Sequence, residues 1–585
     1  MLILVANNFV FAQTESLLTR AEKTKFQETS RYDETIEFCK RLEKESPWIK
    51  FTNFGKSPQG RDLPLLVVSK NQRFTPDRAR QSNEVVLLVI NGIHAGEIAG
   101  KEASLMLVRD VAVTKKHAGL LDHVTLLVVP IYNVDGHERF GPYNRINQNG
   151  PKEMGWRTTS QNLNLNRDWM KADQPETIAI LKLFSLWLPE MTIDNHVTDG
   201  ADYQYDMYYY TDSTEAMPST LAKYIKGKFE PDLQAALTAT GHTASLYVDL
   251  KDPLDPSAGM ETGGTSPRFS NGYVTQQNRA ALLAESHMLK TFQNRIQAHY
   301  DLMVATLQSL NRDAATLHEA VQNADEEAKH LGDKYDPAKK VILSLKLNPE
   351  KQEPLRFKGV EYKIDESPIS GGKRIRYSKT PKEFDVPLYH TLETDVAVAP
   401  PLGYIIPPQW TFVLDRLSAH GIVHQTLKEP LTGRFETYRF TDVSWKEAPF
   451  EGRHETLFKT VPVVEKRTLP AGSIVVWLNQ RTSKVILHLL EPDGPDSLLR
   501  WGFFNAIFEQ KEYAEGYVLE RLAEEMLEKD PKLKKEFETR LKENPKFASS
   551  PQARLEFFYQ RSPYWDQQKD AYPIVRITDR SQVPH

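Results

Sequence analysis

The stretch EVVLLVINGIHAGEIAG, residues 84–100, decides the fold. Its first half is an unbroken aliphatic run, the pattern of a strand buried on both faces, and its second half is a glycine-rich turn that opens into a helix from about residue 97. The same alternation recurs along the first half of the chain. A helix is expected near 32–46, strands at PLLVVS (64–69), VTLLVVPIY (124–132) and MTIDNH (191–196), and a helix at PETIAILKLFSLWL (175–188). Strand SLYVDL (245–250), the short run AALLAES (280–286) and a long helical stretch over 287–332 follow. Strands alternating with helices predict an α/β fold with a mixed, mostly parallel sheet and helices on both faces.

In open α/β sheets, sites form where the chain leaves the carboxyl ends of the strands. His94 and Glu97 stand at such a place, and positions three apart share a face if the turn opens into a helix, so they can grip one cation. Taken alone, the pair is more often the mark of a polar loop leaving a strand. His196 ends another predicted strand at the same kind of position, and two imidazoles with one carboxylate form a hydrolytic zinc set that leaves room for water.

Composition narrows the function. The chain has 585 residues, more than one domain needs, with 40% hydrophobic and 26% charged residues and no apolar run long enough for an internal membrane span. A formal charge of −4 gives no reason to expect nucleic acid as a partner. The single cysteine, Cys39, excludes an intramolecular disulfide and a cysteine-rich metal site, so any metal must be held by His, Asp or Glu. The first residues, MLILVANNFVFAQTES, end in VFA before a polar segment and read as a signal peptide over 1–12 cleaved after Ala12, though without a basic n-region. That reading makes the protein secreted or periplasmic.

Residues 50–290 resemble the M14 (carboxypeptidase A-like) family of zinc metallocarboxypeptidases. GKSPQGRDLPLLVVS, with Gly60 and Arg61, is similar to the family's early strand entry, HAGE to its H-x-x-E and NVDG (133–136) to its N-P-D-G. LNRDW (165–169) resembles its L-N-R-N-F, DNH ending at His196 the strand of the third ligand, and ALLAESHMLK (281–290) the late strand with the catalytic glutamate. The resemblance implies one Zn²⁺ per chain on His94, Glu97 and His196, the ligand set of carboxypeptidase A, with Glu285 as general base. It further implies Arg157, with Arg145 as competitor, at the developing oxyanion, and Arg167 with Asn166 on the terminal carboxylate of a peptide substrate. Tyr273 is the nearest match to the phenol that closes over substrate, and Arg268 falls where family members place side-pocket residues. Where the family usually has D-x-N-R, Asn164 replaces the aspartate that orients a zinc histidine; its carbonyl can still accept an imidazole N–H.

Residues 13–335 are therefore expected to form the peptidase domain and 336–585 an α+β or β-rich accessory domain. The second region carries β-like segments, many prolines and a charged helical run at 515–544. GYIIPPQWTFVLDRLSAHGI (403–422) and the segment 475–504 resemble the tail of large bacterial M14-like proteins, which names no function. His420 and His424 could hold a second metal only if helical, but AHGIVH crosses a glycine. The functions in play are a secreted carboxypeptidase, a zinc amidase of cell-wall stem peptides or N-acyl amino acid deacylase, and an inactive peptide-binding protein.

Overall fold

A computed structural model of the chain describes residues 17–583, so the expected signal segment 1–12 lies outside the described residues. Helix α1 (Tyr32–Glu45) leads into a sheet of eight strands: β1 (Ile49–Lys56), β2 (Asp62–Val68), β3 (Val85–Asn91), β4 (Val124–Val129), β5 (Met191–Thr198), β6 (Met207–Tyr210), β7 (Ala244–Leu246) and β8 (Ala280–His287). Their spatial order is β1-β2-β4-β3-β5-β8-β6-β7. The central neighbours β4, β3, β5 and β8 run parallel, while β1 with β2, β2 with β4, and β8 with β6 are antiparallel. The mixed, mostly parallel sheet expected from the alternation of strands and helices is therefore present. Every residue of β3, β4 and β5 is buried, which is why β3 and β4 read as near-continuous aliphatic runs, while β5 carries buried polar groups.

Helices α2 (Ala99–Val108), α3 (Pro175–Trp187), α4 (Ser270–Gln276) and the 38-residue α5 (Phe292–Lys329) cover the sheet. Side chains of α2 and α5 share one apolar cluster with Leu87, Val89 and Ile193. On the other face α3 and α4 join Leu88, Ile90 and Leu127, and that cluster continues into Ile406, Val476 and Leu487 of the C-terminal region. Late residues thus complete the second layer over the sheet.

The C-terminal region begins with β9 (Val341–Leu347) and contains two long hairpins, 353–389 and 431–469, a six-stranded sheet, and helix α6 (Ser483–Leu490). The charged run forms two helices, Gly516–Lys529 and Pro531–Glu543. Pro531 lacks an N–H and fits the first turn of a helix, and Asp530 caps that turn by accepting the backbone N–H groups of Lys532 and Leu533. Among the described residues no helix is long and apolar enough to cross a membrane.

Candidate metal centre and substrate cleft

The turn after β3 is shaped by its glycines. Gly92 adopts a left-handed φ of 66°, and a side chain on Gly96 would collide with the Arg145 stem at 2.6 Å and the Gly155 carbonyl at 2.8 Å. The Glu97 N–H donates to the His94 carbonyl at 2.9 Å, so the turn folds both side chains to one side. His196 and Glu285 meet that group because β5 and β8 pair in parallel with these two residues directly opposite each other.

Ligand-type atoms of His94, Glu97 and His196 lie within 4.8 Å of one another, and all three residues are buried. His94 Nδ1 is 3.2 Å from one Glu97 oxygen, and His196 Nδ1 is 3.1 Å from the other. His94 Nε2 is held from behind, 3.1 Å from Asn164 Oδ1. His196 Nε2 lies 2.9 Å from Asp194 Oδ2, a charge contact without hydrogen-bond geometry. His94 Nδ1 has no hydrogen-bond partner although it is buried, as expected of an atom turned toward a metal.

The electrostatics suit a divalent cation. Burial depresses the His94 pKa to about 4, against the pull of Glu97, leaving the neutral imidazole that a metal needs. Burial alone would raise Glu97, but the neighbouring histidines and the charge of Arg145 hold it well below the usual carboxylate range. His196 moves the other way: burial opposes its charge, yet Asp194 and Glu285 stabilise positive charge on it. Two imidazoles and a carboxylate, surrounded by groups that favour a cation, fit zinc. Burial pushes Glu285 up to about 8, reinforced by Glu97, Asp199 and Asp194 and partly offset by His196; its Oε2 has no hydrogen-bond partner.

These residues line a cleft of about 530 Å³ together with Arg157, Asn166 and Arg167. Arg157 and Arg145 both reach Glu97 Oε1, at 3.2 and 2.9 Å, so the two competitors for one role contact the same carboxylate. Arg157, with 40% of its side chain exposed, lines the cleft; Arg145 is 12% exposed. Arg167 stacks over Phe269 at 4.2 Å and donates to its neighbour's carbonyl, that of Asn166, at 2.7 Å. The Asn166 carboxamide oxygen accepts the Ser270 N–H at 2.9 Å, which leaves its Nδ2 to offer as a donor.

Tyr273 is a correction. It does not reach the cleft: it is fully buried on α4, its hydroxyl 2.9 Å from His420 Nδ1 and accepting from Gln277 Nε2 at 2.6 Å, with its ring against Trp169 and Phe184. The short helix turns it into the core shared with the C-terminal region. Tyr210 and Tyr247 are the tyrosines that line the cleft. Arg268 is pinned by Asp496, Nε to Oδ1 at 2.6 Å, and stacks over Trp501. His420 is spent on Tyr273 and on the Met170 carbonyl.

Sequence reasoning anticipated Asn164 but missed the groups around His196. Asp194 lies two residues before His196 on the same face of β5, a local signal that could have been read. His299 of α5 had none: its Nδ1 is 2.9 Å from Asn195 Oδ1 and its Nε2 3.0 Å from the His196 carbonyl, so it braces β5 from the helix layer.

A sequence profile of the zinc carboxypeptidase family (Peptidase M14) matches residues 35–179. The protein called carboxypeptidase 2 in Trichophyton rubrum is 25% identical over 494 residues, covering 80% of this chain and 83% of that protein, and its Trichophyton equinum counterpart is 25% identical over 495. A shared span of that length reaches into the C-terminal region, and these relatives are fungal, so the bacterial character expected of the tail finds no support in them. A solved metallo-carboxypeptidase from Burkholderia cenocepacia is 18% identical, with a TM-score of 0.35 over 48% of this chain and 69% of that one.

Proposed function

Since this chain belongs to the M14 family of zinc carboxypeptidases and is a metallopeptidase, we propose that it hydrolyses the C-terminal peptide bond of peptides, with Glu285 as general base. The observation that carries the reading is the convergence of His94, Glu97 and His196 beside Glu285 at the ends of β3, β5 and β8, in a cleft that also holds Arg157 and Arg167. Bound to the two histidines and the glutamate, zinc would supply Lewis-acid polarisation of the scissile carbonyl and an acidified water.

The chain's own residues account for the rest. The Arg167 guanidinium, which has no ion pair among the described residues, offers a planar fork to the substrate's terminal carboxylate, and Asn166 Nδ2 adds a donor. Arg157 brings positive charge to the side of the cleft where the carbonyl oxygen gains negative charge. Glu285, raised by burial, takes a proton from the attacking water at its unpartnered Oε2 and returns it to the leaving amine. The apolar start of the sequence supports export with cleavage after Ala12 as part of the same proposal.

Zinc-loaded protein and its Glu285→Gln form, incubated with a mixed peptide library, cell-wall fragments and N-acyl amino acids, test the reading by product mass. Stepwise C-terminal shortening by the wild type alone is the expected result. Cleavage confined to stem peptides or N-acyl amino acids would replace peptides with those substrates, and peptide binding without turnover would leave a binding protein.

A further inference from the structure

Behind the loop 264–269, one wall of the catalytic cleft, lies a second cavity of about 730 Å³. Arg167, Phe269 and Gly264 to Ser266 line both spaces, so Arg167 stands at their junction. A substrate whose terminal carboxylate met Arg167 would have its last side chain near the entrance to the second cavity. The catalytic half of the chain does not build this cavity alone. Val341, Leu343 and Leu345 of β9 give it an apolar wall, and α6 contributes Lys484 and His488, one turn apart and so on one helix face.

Two polar groups that line the cavity, His488 and Lys484, lack hydrogen-bond partners among the described residues. His488 is 2% exposed, and neither ring nitrogen has a hydrogen-bond partner. Buried polar groups are normally paired, so this imidazole is built for something that the protein itself does not supply. Lys484 makes no hydrogen bond or ion pair among the described residues; burial lowers its pKa, and Glu327 only partly offsets that. The acidic groups around the cavity, Glu215, Glu327 and Asp395, are exposed at its margin. Arg268, the arginine that sequence position singled out for a side pocket, is neutralised by the fully buried Asp496.

We infer that this second cavity receives the side chain of the substrate's C-terminal residue and selects an acidic one, its carboxylate meeting Lys484 and His488 and its methylenes lying along β9. The inference rests on the carboxypeptidase reading of the adjoining cleft. A lysine in the wall favours an anion over a neutral amide, because a charge-assisted hydrogen bond is roughly twice as strong as a neutral one. The volume has room for an acid longer than glutamate, so 2-aminoadipate is accommodated as well.

Two measurements on the full chain test this and separate it from the catalytic reading. Calorimetry with L-glutamate, L-2-aminoadipate, L-glutamine and L-leucine, with and without zinc, should show the two acids bound about tenfold or more tighter than glutamine. Peptides ending in the same four residues should give a kcat/KM ratio of glutamate to glutamine of about ten or more. Both ratios should collapse in Lys484→Met and return in Lys484→Arg, with thermal unfolding checked for each variant. Equal or better binding of glutamine or leucine, or ratios that survive in a folded Lys484→Met, would overturn the assignment. Acid-selective binding without release of any C-terminal residue upholds the pocket and refutes the carboxypeptidase; release without acid preference does the reverse.

Discussion

Replacing Asn164 tests whether His94 binds metal through Nδ1 while the protein holds it at Nε2. The Asn164 Oδ1 to His94 Nε2 distance is 3.1 Å, and both residues are buried. In Asn164→Leu the imidazole N–H loses its acceptor and cannot reach water; a buried unsatisfied donor costs about 1–3 kcal/mol. At about 1.4 kcal/mol per factor of ten, zinc should bind roughly 5- to 150-fold more weakly, the range known for partners of metal ligands. Asn164→Asp keeps an acceptor and makes it charge-assisted, so zinc should bind as tightly as in the wild type or up to about tenfold tighter. Glu451, whose carboxylate accepts the Asn164 backbone N–H at 2.8 Å, puts a second negative charge nearby and trims that gain. Competition with a chromophoric chelator at neutral pH gives the dissociation constants. A zinc affinity in Asn164→Leu within twofold of the wild type, or a weaker one in Asn164→Asp than in Asn164→Leu, would refute the orientation of His94 and with it the ligand assignment.

Arg167→Lys loses the fork, so KM for free-acid peptides should rise about tenfold or more with a smaller change in kcat, while C-terminally amidated peptides are indifferent to the change; equal effects on both substrates would remove Arg167 from carboxylate binding. Tyr273→Phe should leave kcat/KM within about twofold but cost about 1–3 kcal/mol of stability, because His420 and Gln277 lose a buried partner; a large loss of activity in a stable variant would return Tyr273 to the cleft. The carboxylates of Asp206 and Asp301 on either side, opposed by burial, raise the His242 pKa from 6.5 to about 9. A folded pKa above the unfolded one gives stability that is fully present below about pH 6.5 and lost as pH rises through about 9, up to about 3 kcal/mol. The gap in Tm between wild type and His242→Gln should therefore be wide at pH 6 and narrow by pH 10, and a gap independent of pH would contradict the charge on His242.

What could be read in advance follows from how the sheet is built. β3, β5 and β8 lie in the middle of the sheet and open on apolar residues, and His94, His196 and Glu285 stand near or just beyond their carboxyl ends. A turn that must bring two side chains to one cation needs glycine, and Gly92 and Gly96 supplied that signal locally. Tyr273 misled because distance along the chain was used for direction in space: a single helical turn separates a residue facing the cleft from one facing the core. The hairpins at 353–389 and 431–469 were obscure for a different reason. Much of 373–389 is half-exposed or exposed, so KRIRYSKTPKEFDVPLY carries little alternation and includes two prolines.

The least legible part of the site comes from furthest along the chain. SKVILHLL is an ordinary amphipathic helix by pattern, and nothing in it announces that Lys484 and His488 face a cavity opened by residues 264–269. Their placement depends on the apolar cluster that runs from Ile90 of β3 through α3 to Leu487, so the packing that covers one face of the sheet also fixes the far wall of the second cavity. His94, Glu97 and His196 need only the sheet and its turns to converge, whereas the donors that would choose among C-terminal side chains need the late region docked. Chemistry and selectivity are thus encoded in separate stretches, and a substitution in α6 can change which peptide is cut without touching a residue that cuts it.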